Sequence, residues 1–208
     1  MRHLLVIASI FLIPFFGQSQ EIEKNFKLGF TLSPNLSWST DDGNRLVSDG
    51  SRAGFSYGVI ADIGFAKNYY FSTAFTVTSL QSKAVRTNIS TDEYKLQYIE
   101  IPFTLKLKSN PSDQGRFYGQ FGLGTGINIS AKKDAVTFGT NETLEDVSIS
   151  SEVNSVRLGL IMGGGAEWNV GRNLTALTGV TFNNGFTKTF KDFDSRNPFV
   201  TLNLALFF

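Results

Sequence analysis

The chain has 208 residues, a length that suits one all-β domain. Lys+Arg is 19 and Asp+Glu is 18, so no basic excess points to nucleic acid. Cys is 0, which excludes disulfides, thiolate metal sites, cysteine nucleophiles and a lipidated cysteine. Gly 20 and Phe 20 make poor helix material but suit strands that approach closely or bend.

Residues 1–19 read as a cleaved signal peptide. Arg2 and His3 give a short positive start, and Leu4 to Phe16 is almost unbroken apolar sequence. Gly17 and Ser19 supply the small residues of a cleavage site after Ser19. The apolar run, with Pro14 inside it, is short of the roughly 20 residues that span a bilayer as helix. His3 is the only histidine, so the remaining domain, residues 20–208, has none, and losing Arg2 leaves it formally neutral.

That domain reads as eight strands of period two. The first runs from Phe26 to Trp38, before a polar loop over Ser39 to Arg52. The second is Ala53 to Phe65, with a tight turn at Ala66-Lys67-Asn68. The third is Tyr69 to Leu80, then a loop from Gln81 to Glu93. The fourth is Tyr94 to Leu107, and Lys108 to Gly115 is a turn. The fifth is Arg116 to Ser130, followed by the longest loop, Ala131 to Asn154. Within that loop, Val136-Thr137-Phe138 and Val147-Ser148-Ile149-Ser150 suggest a projecting hairpin with an exposed edge. The sixth is Ser155 to Val170, the seventh Asn173 to Phe186 and the eighth Pro198 to Phe208.

Long and short connections therefore alternate, as they do in outer-membrane barrels with short periplasmic turns and longer external loops. The faces sharpen the point. Ile99, Ile101, Phe103, Leu105 and Leu107 oppose Tyr98, Glu100, Thr104 and Lys106; Phe121, Leu123 and Ile127 oppose Gln120, Gly122 and Gly126. The apolar phase carries no charge in any strand core. A cation facing lipid at the midplane costs about 2–4 kcal/mol, which accounts for the exclusion. Unpaired edges cannot face lipid, so the sheet must close. The expected fold is all-β: a closed eight-stranded antiparallel up-and-down transmembrane barrel in the cell outer membrane.

An eight-stranded barrel is just wide enough to be filled by side chains. The polar phase places Lys27, Asp62, Glu100, Lys106, Arg116, Arg157 and Glu167 in that interior, where buried charges must pair. Neighbouring strands suggest Lys27 with Asp62 and Arg116 with Glu167. Pro102, unable to donate a ladder hydrogen bond, predicts a bulge or bend. Glycines 122, 124, 126, 159, 163 and 165 read as room for Tyr98 and Tyr118; no helix follows them to receive a phosphate.

Gln97-Tyr98-Ile99-Glu100-Ile101-Pro102-Phe103 resembles the Tyr-(Leu/Ile)-Glu-(Ile/Leu)-Pro motif of PorT-type outer-membrane β-barrel proteins of the Bacteroidetes, with Tyr98, Glu100 and Pro102 at its fixed positions. Leu204, Leu206 and Phe208 resemble the terminal-strand signal read by barrel-assembly machinery. The resemblance implies fold and outer-membrane location, and for one branch of the family a place in secretion or gliding machinery. The reading is non-enzymatic and structural or interactive, with no cofactor. Its partners are outer-membrane lipid and lipopolysaccharide, the assembly machinery, and an envelope protein. A small porin-like channel or solute-binding barrel is the alternative. A lipid-modifying enzyme ranks third, because such barrels pair histidine with serine and the domain has no histidine.

Overall fold

The computed structural model describes residues 26–41, 46–86, 90–137, 143–171, 173–191 and 195–208. The leader read over residues 1–19 lies outside them. Eight strands make the wall: β1 (Phe26–Ser37), β3 (Leu46–Ala66), β4 (Tyr69–Arg86), β5 (Ser90–Lys108), β6 (Gly115–Thr137), β8 (Val156–Asn169), β9 (Thr175–Gly185) and β11 (Phe199–Phe207). Three short strands lie beyond it: β2 (Thr40–Asp41), β7 (Thr143–Ser148) and β10 (Ser195–Arg196).

Each wall strand pairs antiparallel with its neighbours in chain order. The ring closes where β1 meets β11, with Gly29 opposite Phe207 and Asn35 opposite Thr201. The tight turns and both termini of the wall share one end of the barrel, the turn end; the long connections share the other, the loop end. Side chains of the outer phase form an exposed apolar band that includes Phe30, Leu32, Phe121, Ile127, Val180 and Leu202.

The chain solves two proline problems without shifting register. Between Thr31/Ala205 and Asn35/Thr201 the β1–β11 ladder is interrupted around Pro34. There the Leu204 N–H donates to Ser33 Oγ at 3.1 Å, and Thr31 Oγ1 donates to the Leu204 carbonyl at 2.9 Å. The β4–β5 ladder likewise skips from Thr73/Phe103 to Thr76/Glu100 beside Pro102, and register resumes unchanged. The bulge expected at Pro102 is thus absent. The missing N–H opens the ladder on one side only, while Pro102 keeps its place opposite Gly124 of β6.

Register shifts lie elsewhere, in the β3–β4 and β6–β7 ladders and, on β5–β6, above Tyr98. Gln97 pairs with Ser130 and Tyr98 with Asn128, so Ile129 is an extra residue on β6. It inverts the face assignment above it: Ile129 points out, and Ala131 is buried inside.

The hairpins also run further than periodicity suggests. β3 begins at Leu46, β4 continues to Arg86, β5 starts at Ser90 and β6 continues to Thr137. Ladder hydrogen bonds persist above the apolar band, but lipid no longer imposes alternation there. The Ala131 to Asn154 connection forms a hairpin, with β7 antiparallel to the top of β6 and Val136 opposite Thr143. Phe138 lies outside the described residues, and Ile149 ends up buried rather than continuing β7.

Candidate functional site: the barrel interior

The interior is layered. At the turn end, Asp62 on β3 accepts from Lys106 Nζ at 2.9 and 3.0 Å, from Lys108 Nζ at 2.6 Å and from Ser72 Oγ at 2.6 Å. Glu167 on β8 meets Lys108, Arg116 at 3.0 Å and Lys27 at 3.8 Å. Tyr70 lies under this group. Its hydroxyl accepts from Arg116 Nη1 at 3.2 Å, and Lys108 Nζ sits 3.9 Å from its ring centroid. Side chains of Asp62, Lys106 and Lys108 are fully buried. Removing two charges from water costs several kcal/mol each, so this layer holds together only while every charge keeps partners.

Two expectations change here. Lys27 and Asp62 are direct cross-strand neighbours, yet Lys27 reaches instead to Glu167. Asp62 is taken by two lysines of β5, because barrel stagger brings side chains two strands away to the same height. Lys108, read as part of a turn, is the last inward residue of β5 and bridges both carboxylates. Its signal was available: the even-numbered phase of Tyr98, Glu100, Thr104 and Lys106 reaches it without a break.

Midway up, Arg157 on β8 donates from Nη1 to Glu100 Oε1 at 3.3 Å. Its Nη2 donates to Asn183 Oδ1 at 2.9 Å and to the Asn197 carbonyl at 3.1 Å. Gly124, Gly126 and Gly159 make room for this group rather than for Tyr98, whereas Gly122, Gly163 and Gly165 lie against neighbouring backbone. A Cβ at Gly126 would lie 2.7 Å from Glu100 Oε1, and one at Gly124 2.9 Å from Asn183 Nδ2. Tyr118 does need a glycine, but it is Gly179 that faces its hydroxyl. Below the group a cavity of about 120 Å³ is lined by Ser33, Thr76, Thr104, Thr181 and Asn203 among others, with Ile60, Ile161 and Phe199, so hydroxyls and amides are set in a mainly apolar wall. It is roomy and polar enough for several ordered waters.

The upper interior is mainly apolar, against the polar-lumen expectation, although Asp92 is buried beside Tyr94 and pairs with Lys133 at 2.9 Å. Leu80, Tyr94, Leu96, Tyr98, Ala131 and Phe199 from the wall pack with Ile149, Val153 and Phe190 from the long connections. Val153 and Phe190 form an isolated bridge, and the Phe190 ring meets Tyr94 edge-on at 4.9 Å. β2 and β10 pair beside this cap, with Ser195 opposite Asp41. Tyr98, Glu100 and Pro102 are successive inward positions on β5, so they span cap, charged pair and cavity in order. Leu204, Leu206 and Phe208 face outward on or beside β11, and Phe208 packs on Phe30 at 5.6 Å. Among the described residues no group of three or more histidine, cysteine or acidic side chains is placed to hold a metal ion.

Replacing Glu100 with leucine strands the Arg157 guanidinium among uncharged acceptors. We expect the unfolding midpoint of the detergent-folded barrel to fall, by an amount corresponding to about 3–5 kcal/mol. Unchanged urea unfolding would show that the pair is not coupled to folding.

A closed barrel with an apolar outer band and a polar, charge-paired lower interior is the architecture of an integral outer-membrane protein. The chain belongs to the family described as "Outer membrane protein beta-barrel domain", which matches residues 16–191. Among solved structures it is similar to Neisserial surface protein A, at 12% identity and TM-score 0.51, covering 86% of this chain and 95% of that one. It is also similar to OprG from Pseudomonas aeruginosa, at 10% identity and TM-score 0.48, with 88% and 94% covered. Ail of Yersinia pestis gives 17% identity and TM-score 0.46, with 88% and 98% covered. No curated protein matches the chain in sequence. The turn end is accordingly periplasmic and the loop end extracellular.

Proposed function

We propose that the protein is a non-enzymatic, non-conducting outer-membrane barrel whose working surface is its extracellular cap. The observation that carries this reading is double closure: fully buried Lys106, Lys108 and Asp62 fill the periplasmic end, while Leu80, Leu96 and Val153 fill the extracellular end. The cavity of about 120 Å³ lies between these two fillings. The resemblance of Gln97 to Phe103 supports a PorT-like setting in secretion or gliding machinery, with an envelope protein as partner. Contact with lipopolysaccharide follows from location, and insertion by barrel-assembly machinery from the outward Leu204, Leu206 and Phe208. Export rests on cleavage after Ser19, which N-terminal sequencing of the membrane-inserted protein checks.

In planar bilayers the wild-type barrel should show no steady open level. Such a level would overturn this reading in favour of a small channel built around the 120 Å³ cavity. Crosslinking in native membranes should trap a partner at the cap, and a variant without a packed cap should lose it.

A further inference from the structure

The charge count at the periplasmic end does not balance. Among the described residues, four cations, Lys27, Lys106, Lys108 and Arg116, share two carboxylates, Asp62 and Glu167. The inner two cations are fully buried and closely held. The outer two are not: the Lys27 side chain is 28% exposed and that of Arg116 is 14% exposed. Both converge on the same oxygen, Oε2 of Glu167, which Lys27 approaches only to 3.8 Å. Its other contact, to Thr175 Oγ1, is 3.4 Å long. Arg116 uses Nε on Glu167 and Nη1 on Tyr70, leaving Nη2 with no acceptor among the described residues. Excess positive charge against a low-dielectric interior favours capture of an anion.

A hollow of about 280 Å³ opens beside Arg116, under the β5–β6 turn. Ser109, Ser112 and Gln114 line it with polar groups, the Glu167 carboxylate, already paired with Lys108 and Arg116, also reaches its wall, and Phe117 and Trp168 line it as well. Phe117 and Trp168 are exposed on the lipid face at the end of their strands. That is the level where interfacial aromatics meet headgroups. The hollow falls just below the usual range for whole small-molecule sites, which suits a headgroup better than an entire lipid.

We propose that Arg116 at this hollow forms an anion site for a phosphate group, with Lys27, which does not line the hollow, adding positive charge from behind Glu167, and that in the membrane the site is filled by the headgroup of a periplasmic-leaflet phospholipid. The aromatic flank argues for the lipid source, since a free anion needs no apolar wall. Basic residues near a membrane surface contribute about 1 kcal/mol each toward anionic lipid, so losing one should weaken binding about fivefold.

The test uses the full barrel in nonionic detergent. Trp38→Phe leaves Trp168 as the single indole reporter. Dihexanoyl-phosphatidylglycerol should give a saturable fluorescence change, and dihexanoylglycerol, which lacks the phosphate, should not. Lys27→Gln and Arg116→Gln should each weaken the phospholipid response about fivefold. Lys27 is the peripheral member of the network, so its variant carries the test where Arg116→Gln fails to fold. Inorganic phosphate binding as tightly as the phospholipid would support the anion site and overturn the lipid source. An equal response to dihexanoylglycerol, or unchanged affinity in Lys27→Gln, would overturn the site itself.

Discussion

Asparagine in place of Asp62 should destabilise the barrel more than any other single polar substitution in its interior. Among the described residues, Asp62 is the only carboxylate that Lys106 contacts directly, at 2.9 Å, and one of two that hold Lys108. An amide of the same shape keeps the packing and the bond from Ser72, but leaves two buried ammonium groups facing one remaining carboxylate. Breaking a buried pair by removing one partner costs about 3–5 kcal/mol. For a chain of this size that corresponds to a fall in unfolding temperature on the order of 10 °C. Loss of the slow-migrating folded band at lower heating temperature in gel electrophoresis reads it directly. Adding Lys106→Gln should restore part of the loss, since it removes the stranded charge. If the two losses simply add, the residues are not coupled and the pairing argument fails.

The second large effect belongs to the cap. Phe190 is buried, packs edge-on against Tyr94 and bridges Val153. Truncating a buried phenylalanine to alanine costs about 3–5 kcal/mol. Here that loss has a local outlet. The cap is closed by Ile149, Val153 and Phe190, which come from connections rather than wall strands. Such regions open below the global unfolding free energy. Phe190→Ala should therefore make residues 149–154 and 187–191 cleavable by external protease while the wall keeps its heat resistance. A variant that loses the folded band together with the cap would show that cap and wall are one cooperative unit.

The wall was legible in the residues because lipid reads every second side chain of each strand. Phe30, Leu32, Phe121 and Ile127 had to be apolar, and their alternation with polar partners marks strand, face and closure together. Interior partners were less legible. Sequence neighbours suggest Lys27 with Asp62, but contact across a lumen depends on stagger accumulated around the ring, which no local pattern carries. Lys108 was lost to a boundary: a polar residue next to Ser109-Asn110-Pro111 looks like turn, though its phase places it inside. The apolar cap was hidden because Ile129 shifts the phase by one. Above it Ala131 and Ala135 point inward, and their apolar character no longer means lipid. Arg157 and Glu100 were both visible as interior charges. That glycines would clear space for them, and not for Tyr98, required the curvature of the wall.

The extra residue at Ile129 also divides the history open to this chain. Below it, a one-residue insertion or deletion would turn an entire strand's apolar side chains away from lipid, so lineage change there is confined to exchange in place. Above it, the top of β6 pairs with β5 and β7 beyond the apolar band, so a change of length there does not alter which side chains the bilayer meets. One chain thus joins a stretch whose length the bilayer fixes to a stretch whose length it does not.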